Sequence, residues 1–142
     1  MKIVIIGTGG VGGYFGGKLA QAGHDVTFIA RGNHLEAIQQ NGLKIISPKG
    51  DFTVQPAKAT DDINTLKETY GTVDLALIAT KAWQVRGFAA DLKPLLNDDT
   101  LVLPLQNGIL APEEIAQECG EKHALAGLCR IFSKIIEPGV IH

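Results

Sequence analysis

Behind Lys2, the residues Ile3 to Ile6 form an uninterrupted β-branched run with no polar position among them. A strand half open to water alternates, whereas one covered on both faces does not, so this run predicts a central strand of a parallel sheet. It leads straight into Gly7-Thr8-Gly9-Gly10-Val11-Gly12-Gly13. Beyond that stretch Val11, Phe15, Leu19 and Ala22 recur at helical spacing, and Gly23 suits the left-handed residue that closes a helix. Asp25 to Ala30 reads as a second strand. The first thirty residues therefore predict a strand, a glycine turn, a helix and a strand.

Further along, His34 to Gln40 has helical character. Leu43 to Ile46 and Phe52 to Val54 flank a Ser47-Pro48-Lys49-Gly50-Asp51 turn and predict a small antiparallel insertion. Asp61 to Tyr70 is polar and holds one short helix. Val73 to Ala79 is another buried strand, followed by a helix from Ala82 to Leu96. Thr100 to Leu103 is a strand that Pro104 ends, because proline cannot donate to a central ladder. Ala111 to Cys119 reads as a helix with Pro112 at its first position. Ala124 to Cys129 and Ile131 to Ile136 predict two last strands before the Pro138-Gly139 turn. Strands alternating with helices predict an α/β domain of doubly wound, Rossmann type, a mostly parallel sheet with helices on both faces.

Composition narrows the field. The 142 residues are 45% hydrophobic and 20% charged, enough for one core and too ordered a balance for a disordered chain. No apolar run approaches the ~18 residues of a membrane span, and the apolar start is too short for a signal-peptide core. With 13 basic and 15 acidic residues intermixed, no stripe suited to nucleic acid is visible. A cytoplasmic location is expected. Cys119 and Cys129 fit neither a disulfide framework nor a metal site, and His24, His34, His123 and His142 are scattered without ligand spacing. No metal is expected. The two serines, Ser47 and Ser133, lie outside any Gly-x-Ser-x-Gly elbow.

Seven of the 17 glycines fall between Gly7 and Gly17. Following a strand and opening a helix, Gly7-x-Gly9-x-x-Gly12 is a dinucleotide fingerprint: a tight turn, close approach to a pyrophosphate, and close helix–strand packing. Backbone amides of Gly7, Thr8, Gly9, Gly10, Val11 and Gly12 are the candidate phosphate donors. Gly16 and Gly17 are read as packing positions. The end of the second strand bears on which nucleotide binds. An NAD site usually places an acid there, but here Arg31 stands nineteen residues beyond Gly12. A guanidinium grips a 2′-phosphate with paired bonds, so NADPH is favoured over NADH, and the missing acid also argues against FAD and S-adenosylmethionine. A solvated surface arginine is the plainer alternative.

Lys81 follows the strand ending at Ala79, on the edge where such sheets bind ligands. It suits cofactor phosphate or ribose, or equally a solvated lysine before a helix capped by Thr80. Asn107, in Asn107-Gly108, offers a donor and an acceptor to a carboxamide or carbonyl, or equally makes a turn. Trp83 is read as packing. No acid–base pair stands out, so no catalytic residue is assigned within the chain.

These residues resemble the ketopantoate reductases (2-dehydropantoate 2-reductases). The match lies in Lys2-Ile3 through Gly12, Arg31, Thr80-Lys81-Ala82-Trp83-Gln84-Val85, Gln106-Asn107-Gly108 and Pro138-Gly139-Val140-Ile141-His142. The resemblance implies NADPH-dependent reduction of 2-dehydropantoate to pantoate, on the route to pantothenate and coenzyme A. It implies that Gly7 to Gly12 hold the pyrophosphate, Arg31 the 2′-phosphate and Lys81 the cofactor. Asn107 would lie near nicotinamide and substrate, and a residue near Ser133 would meet the cofactor through its backbone. Family members are about twice as long, with a helical second domain that supplies the catalytic lysine and most substrate contacts. Residues 1–142 then correspond to the NADP-binding domain, and this chain alone is expected to turn over little ketoacid. Self-association through uncovered apolar surface is a further expectation. Two rivals stand beside this reading: a related 2-oxo or 3-hydroxy acid dehydrogenase, and a stand-alone NADP(H)-binding regulatory module.

Overall fold

The computed structural model describes residues 1–106 and 109–142. Strand β1 (Lys2–Ile6) is followed by α1 (Gly10–Gln21), β2 (Asp25–Ile29), α2 (Gly32–Asn41), β3 (Leu43–Ile45), β4 (Phe52–Val54) and β5 (Lys58–Thr60). Then come α3 (Thr65–Tyr70), β6 (Leu75–Ile78), α4 (Val85–Leu92), β7 (Leu101–Pro104), α5 (Leu110–Cys119), β8 (Ile135–Glu137) and β9 (Val140–Ile141).

Five strands form one parallel sheet in the order β5-β2-β1-β6-β7. The chain leaves β1 toward β2 on one side and later returns to add β6 on the other. That reversal opens a crevice at the carboxyl ends of the strands. β1 explains why its sequence does not alternate. Val4 and Ile6 pack among Ala76, Val85, Ala89, Leu92 and Ile115 on one face; Ile3 and Ile5 pack among Phe28, Leu35, Ile38 and Ile45 on the other. The α/β class with helices on both faces is as the sequence predicts.

The predicted antiparallel insertion is one half of something larger. β3 pairs antiparallel with β4 and parallel with β9, and β9 pairs antiparallel with β8, giving a second sheet in the order β4-β3-β9-β8. Helix α1 lies between the two sheets. A Cβ on Gly16 would come within 2.6 Å of Phe28 Cε1 and 2.7 Å of Ile5 Cγ1, while one on Gly17 would meet Ile45 Cγ1 at 3.0 Å. The packing role of these glycines holds, divided between two sheets.

Several boundaries differ from the sequence reading. The helix over 82–96 is broken into a 3₁₀ turn at Ala82–Gln84, α4, and a second 3₁₀ turn at Lys93–Leu95 containing Pro94, which cannot donate to a continuing helix. Helix α5 starts at Leu110, so Pro112 falls third in its first turn, where its missing N–H is still harmless. Strand β5 has no strong sequence signal and forms because β2 offers it an edge. The strand predicted over 124–129 is reduced to a single bridge, Ala124 to Val102, and that over 131–136 survives only as β8. Apolar content misleads there, since Leu128 and Phe132 point into solvent.

Gly16→Ala is expected to destabilise the fold by about 1–3 kcal/mol, because neither Phe28 nor Ile5 has room to retreat. Gly87→Ala, on the open side of α4 with nothing within 4 Å of the new Cβ, is expected to gain about 0.5–1 kcal/mol. Urea midpoints at constant slope check both, and similar midpoints for the two variants would overturn the packing argument.

Candidate functional site

The crevice at the carboxyl edge is a cleft of about 980 Å³. Its walls are the turn after β1, the end of β2 with the start of α2, and the loops after β6 and β7. Gly7, Thr8, Gly9, Gly10, Val11, Arg31 and Lys81 all line it. Gly12 does not, and serves from behind.

Each residue of the glycine turn has its own duty. Gly7 leaves β1 at φ +91°, a left-handed conformation, with Thr80 Cγ2 only 2.9 Å from where a side chain would begin. A Cβ on Gly12 would overlap the Gly7 carbonyl oxygen and press on Ala79, so the helix start and the strand end touch through glycine alone. Gly9 is the opposite case, with nothing within 4 Å of its absent Cβ. Gly10 is covered from outside by the backbone of Ser133, whose hydroxyl donates to the Gly10 carbonyl at 2.8 Å. Thr8 spends both donors internally, its N–H at 3.1 Å and its hydroxyl at 2.9 Å on the Ile29 carbonyl. It ties the turn to β2.

The first intrahelical bond of α1 runs from Gly13 N to Gly9 O at 2.8 Å, so the amides of Gly10, Val11 and Gly12 precede it. Such amides carry the positive end of the helix dipole, and no acid in the first turn offsets it. Arg31 occupies the N-cap position of α2 in extended conformation, its side chain exposed on the same cleft wall. The ion pairs among the described residues join Lys58 to Asp25, Arg86 and Lys93 to Glu118, and Lys122 to Asp98, so they engage neither Arg31 nor Lys81.

Lys81 is exposed on the facing wall. Its amide donates to Gln84 Oε1 at 3.1 Å, and Gln84 N returns a bond to the Lys81 carbonyl at 2.9 Å. The cap of this turn is thus a Lys81–Gln84 exchange, with Thr80 left outside it. Trp83 is not packing: it is 81% exposed on the lip of the cleft. The inward positions of the segment are Val85, Ala89 and Leu92, which leaves the 3₁₀ turn free to project. Asn107 lies outside the described residues.

Three further residues belong to the cleft. Gln106 donates through Nε2 to the Thr80 carbonyl at 3.1 Å, while its buried Oε1 has no partner among the described residues. Asp61 follows β5 and brings a carboxylate to the wall that carries Arg31. It was invisible as a strand-end position because β5 itself was not legible. His34 joins the glycine turn to the β8–β9 turn, at 2.7 Å from the Thr8 carbonyl and 2.9 Å from the Gly139 amide. Lone histidines without ligand spacing carry no sequence signal for such a tie.

The chemistry on offer is recognition. Amides and two cations suit a polyanion, and a buried acceptor without a partner among the described residues suits a ligand N–H or O–H. Both cysteines are free thiols; burial pushes each up from its ordinary pKa, and Cys119 Sγ is 3.2 Å from the Ala89 carbonyl. Among the described residues no group of three His, Cys, Asp or Glu could hold a metal ion, and no helix is long and apolar enough to cross a membrane.

Comparison with known proteins agrees with this geometry. The chain is 37% identical over 141 residues to the 2-dehydropantoate 2-reductase of Nostoc, covering 99% of this chain and 43% of that protein. It is 36% identical over 142 residues to the uncharacterized oxidoreductase YkpB of Bacillus subtilis, covering 45% of the latter. The chain therefore spans less than half the length of these relatives. The crystal structure of 2-dehydropantoate 2-reductase from Geobacter metallireducens superposes with a TM-score of 0.88 at 35% identity, over all of this chain and 46% of that one. A ternary structure of D-mandelate dehydrogenase with NADH and anilino(oxo)acetate superposes with a TM-score of 0.84 at 28% identity, over 99% and 44%. The family model described as ketopantoate reductase PanE/ApbA matches residues 3–142. With its glycine turn, crevice and doubly wound sheet beneath that match, the chain belongs to the ketopantoate reductase family.

Proposed function

We propose that residues 1–142 are the NADPH-binding part of a reductase that converts a 2-oxo acid to its hydroxy acid, with 2-dehydropantoate as substrate and pantoate as product. The step serves pantothenate and coenzyme A synthesis in the cytoplasm. The observation that carries the reading is the pairing of an open amide loop at the start of α1 with Arg31 at the end of β2, which no ion pair among the described residues engages. The donor set fits a dinucleotide. The space beside Gly9 admits a pyrophosphate, the amides from Gly9 to Val11 and the helix dipole receive it, and Arg31 takes the 2′-phosphate. Thr8 holds this loop in place, and Lys81 faces it from the other wall. Gln106 Oε1, without a partner among the described residues, accepts from a ligand donor. Asn107 serves both carboxamide and ketoacid.

When bound, the nicotinamide supplies hydride to a carbonyl carbon. The residues of this chain bind and orient; the proton for the resulting alkoxide comes from a group outside these 142 residues. Asp61 supports a narrower preference for NADPH than Arg31 alone would give, since its charge opposes a phosphate and suits ribose hydroxyls. A relative's structure that contains NADH is in keeping with such a balance.

Titration of the chain with NADPH and NADH is expected to show tighter NADPH binding. Arg31→Ala should abolish the difference by weakening NADPH roughly ten- to a hundredfold, the range of one charged contact. Asp61→Asn should move the ratio a few-fold further toward NADPH. Equal binding of the two nucleotides by the parent chain would overturn the assignment of Arg31. With NADPH and 2-dehydropantoate, the chain alone is expected to show no steady-state oxidation at 340 nm, and measurable turnover would place the proton donor inside it.

A further inference from the structure

His34 sits in the first turn of α2, half-buried, with a backbone partner at each ring nitrogen. The partners fix its protons. A carbonyl only accepts and an amide only donates, so Nε2 carries the hydrogen toward Thr8 and Nδ1 offers its lone pair to Gly139.

The bond to Thr8 matters because of the peptide that follows. In a trans peptide the C=O and the next N–H point in opposite directions within one plane. Thr8–Gly9 is trans, so the direction of the Thr8 carbonyl sets that of the Gly9 amide. The peptide before it is already held, since the Thr8 N–H is spent on Ile29. The peptide after it is hinged on Gly9, a residue with no side chain and no neighbour within 4 Å of its Cβ position. Rotation about such a hinge is sterically cheap. His34 removes that freedom.

We infer that His34 is a positioning residue: its Nε2–H pins the Thr8–Gly9 peptide and so aims the Gly9 amide, while its Nδ1 holds the β8–β9 turn against the same loop. Ser133 acts in parallel two peptides further on, since its hydroxyl holds the Gly10 carbonyl and thereby the plane of the Val11 amide. The inference rests on the reading of this loop as a cofactor phosphate site.

Two substitutions separate the two bonds. In His34→Gln the side-chain Nε2 takes the place of the imidazole Nε2 and keeps the donor to Thr8. In His34→Asn the Oδ1 takes the place of Nδ1 and keeps the acceptor for Gly139. Binding of NADPH, followed by nicotinamide fluorescence, is expected to stay within about twofold of the parent in His34→Gln and to weaken roughly three- to tenfold in His34→Asn and His34→Ala. Thermal stability should cross over, with the melting temperature kept in His34→Asn and lowered in His34→Gln. Without any nucleotide, the long-range ¹H–¹⁵N spectrum should show the Nε2–H tautomer, and the Gly9 amide resonance should move in the Asn and Ala variants but not in the Gln variant. An Nδ1–H tautomer, or equal NADPH affinity in all four proteins, would overturn the inference. If the parent binds neither NADPH nor NADH, the cofactor reading fails by itself, and the tautomer and the Gly9 resonances then decide the tie.

Discussion

The contact between Gly12 and the Gly7 carbonyl is the constraint from which the cleft follows. With any side chain at position 12 the start of α1 would stand off from the end of β1, and its free amides would leave the crevice. That closeness is reinforced from two directions, because α1 is gripped by both sheets through Gly13, Gly16 and Gly17 against Ile141, Phe28 and Ile45. Each interior glycine costs a helix about 1 kcal/mol of propensity relative to alanine. Burial of the large apolar side chains around it offsets that cost.

Charge is distributed so that the packing and the cleft do not compete for it. The ion pairs among the described residues lie at partly or fully exposed positions outside the cleft, where such pairs contribute less than about 1 kcal/mol each. Arg31 and Lys81 face one another across the opening. Asp61, arriving from a different strand, is the one carboxylate on the cleft lining among the described residues. A cation and a carboxylate thus stand at neighbouring strand ends, an arrangement that a reading confined to the end of β2 does not register.

What the sequence made legible is what a local pattern specifies. The apolar run of β1, the glycine turn and the helical spacing behind it each depend on residues near one another, and each stands where expected. Arg31 and Lys81 were placed by counting from strand ends, and they share the cleft. Most of the failures are long-range. β5 forms on an edge presented by β2, β9 joins β3 across most of the chain, and both are too short to carry a period of their own. Trp83 looked like core by composition, but a 3₁₀ turn broke the helical phase that would have turned it inward. His34 gave no signal because both its partners are backbone atoms, and backbone leaves no mark on composition.

The glycine turn is built from neighbours in sequence but clasped by residues far along the chain. Ser133 meets Gly10 across 123 positions and Gly139 meets His34 across 105. Contacts so distant in sequence form only after the loop-closure entropy of the intervening chain has been met. By itself the β1–α1–β2 unit has its strands and helix but lacks the clasp that holds the Thr8 and Gly10 carbonyls. The amide loop is therefore a local motif whose order is supplied at long range, by residues 133–139.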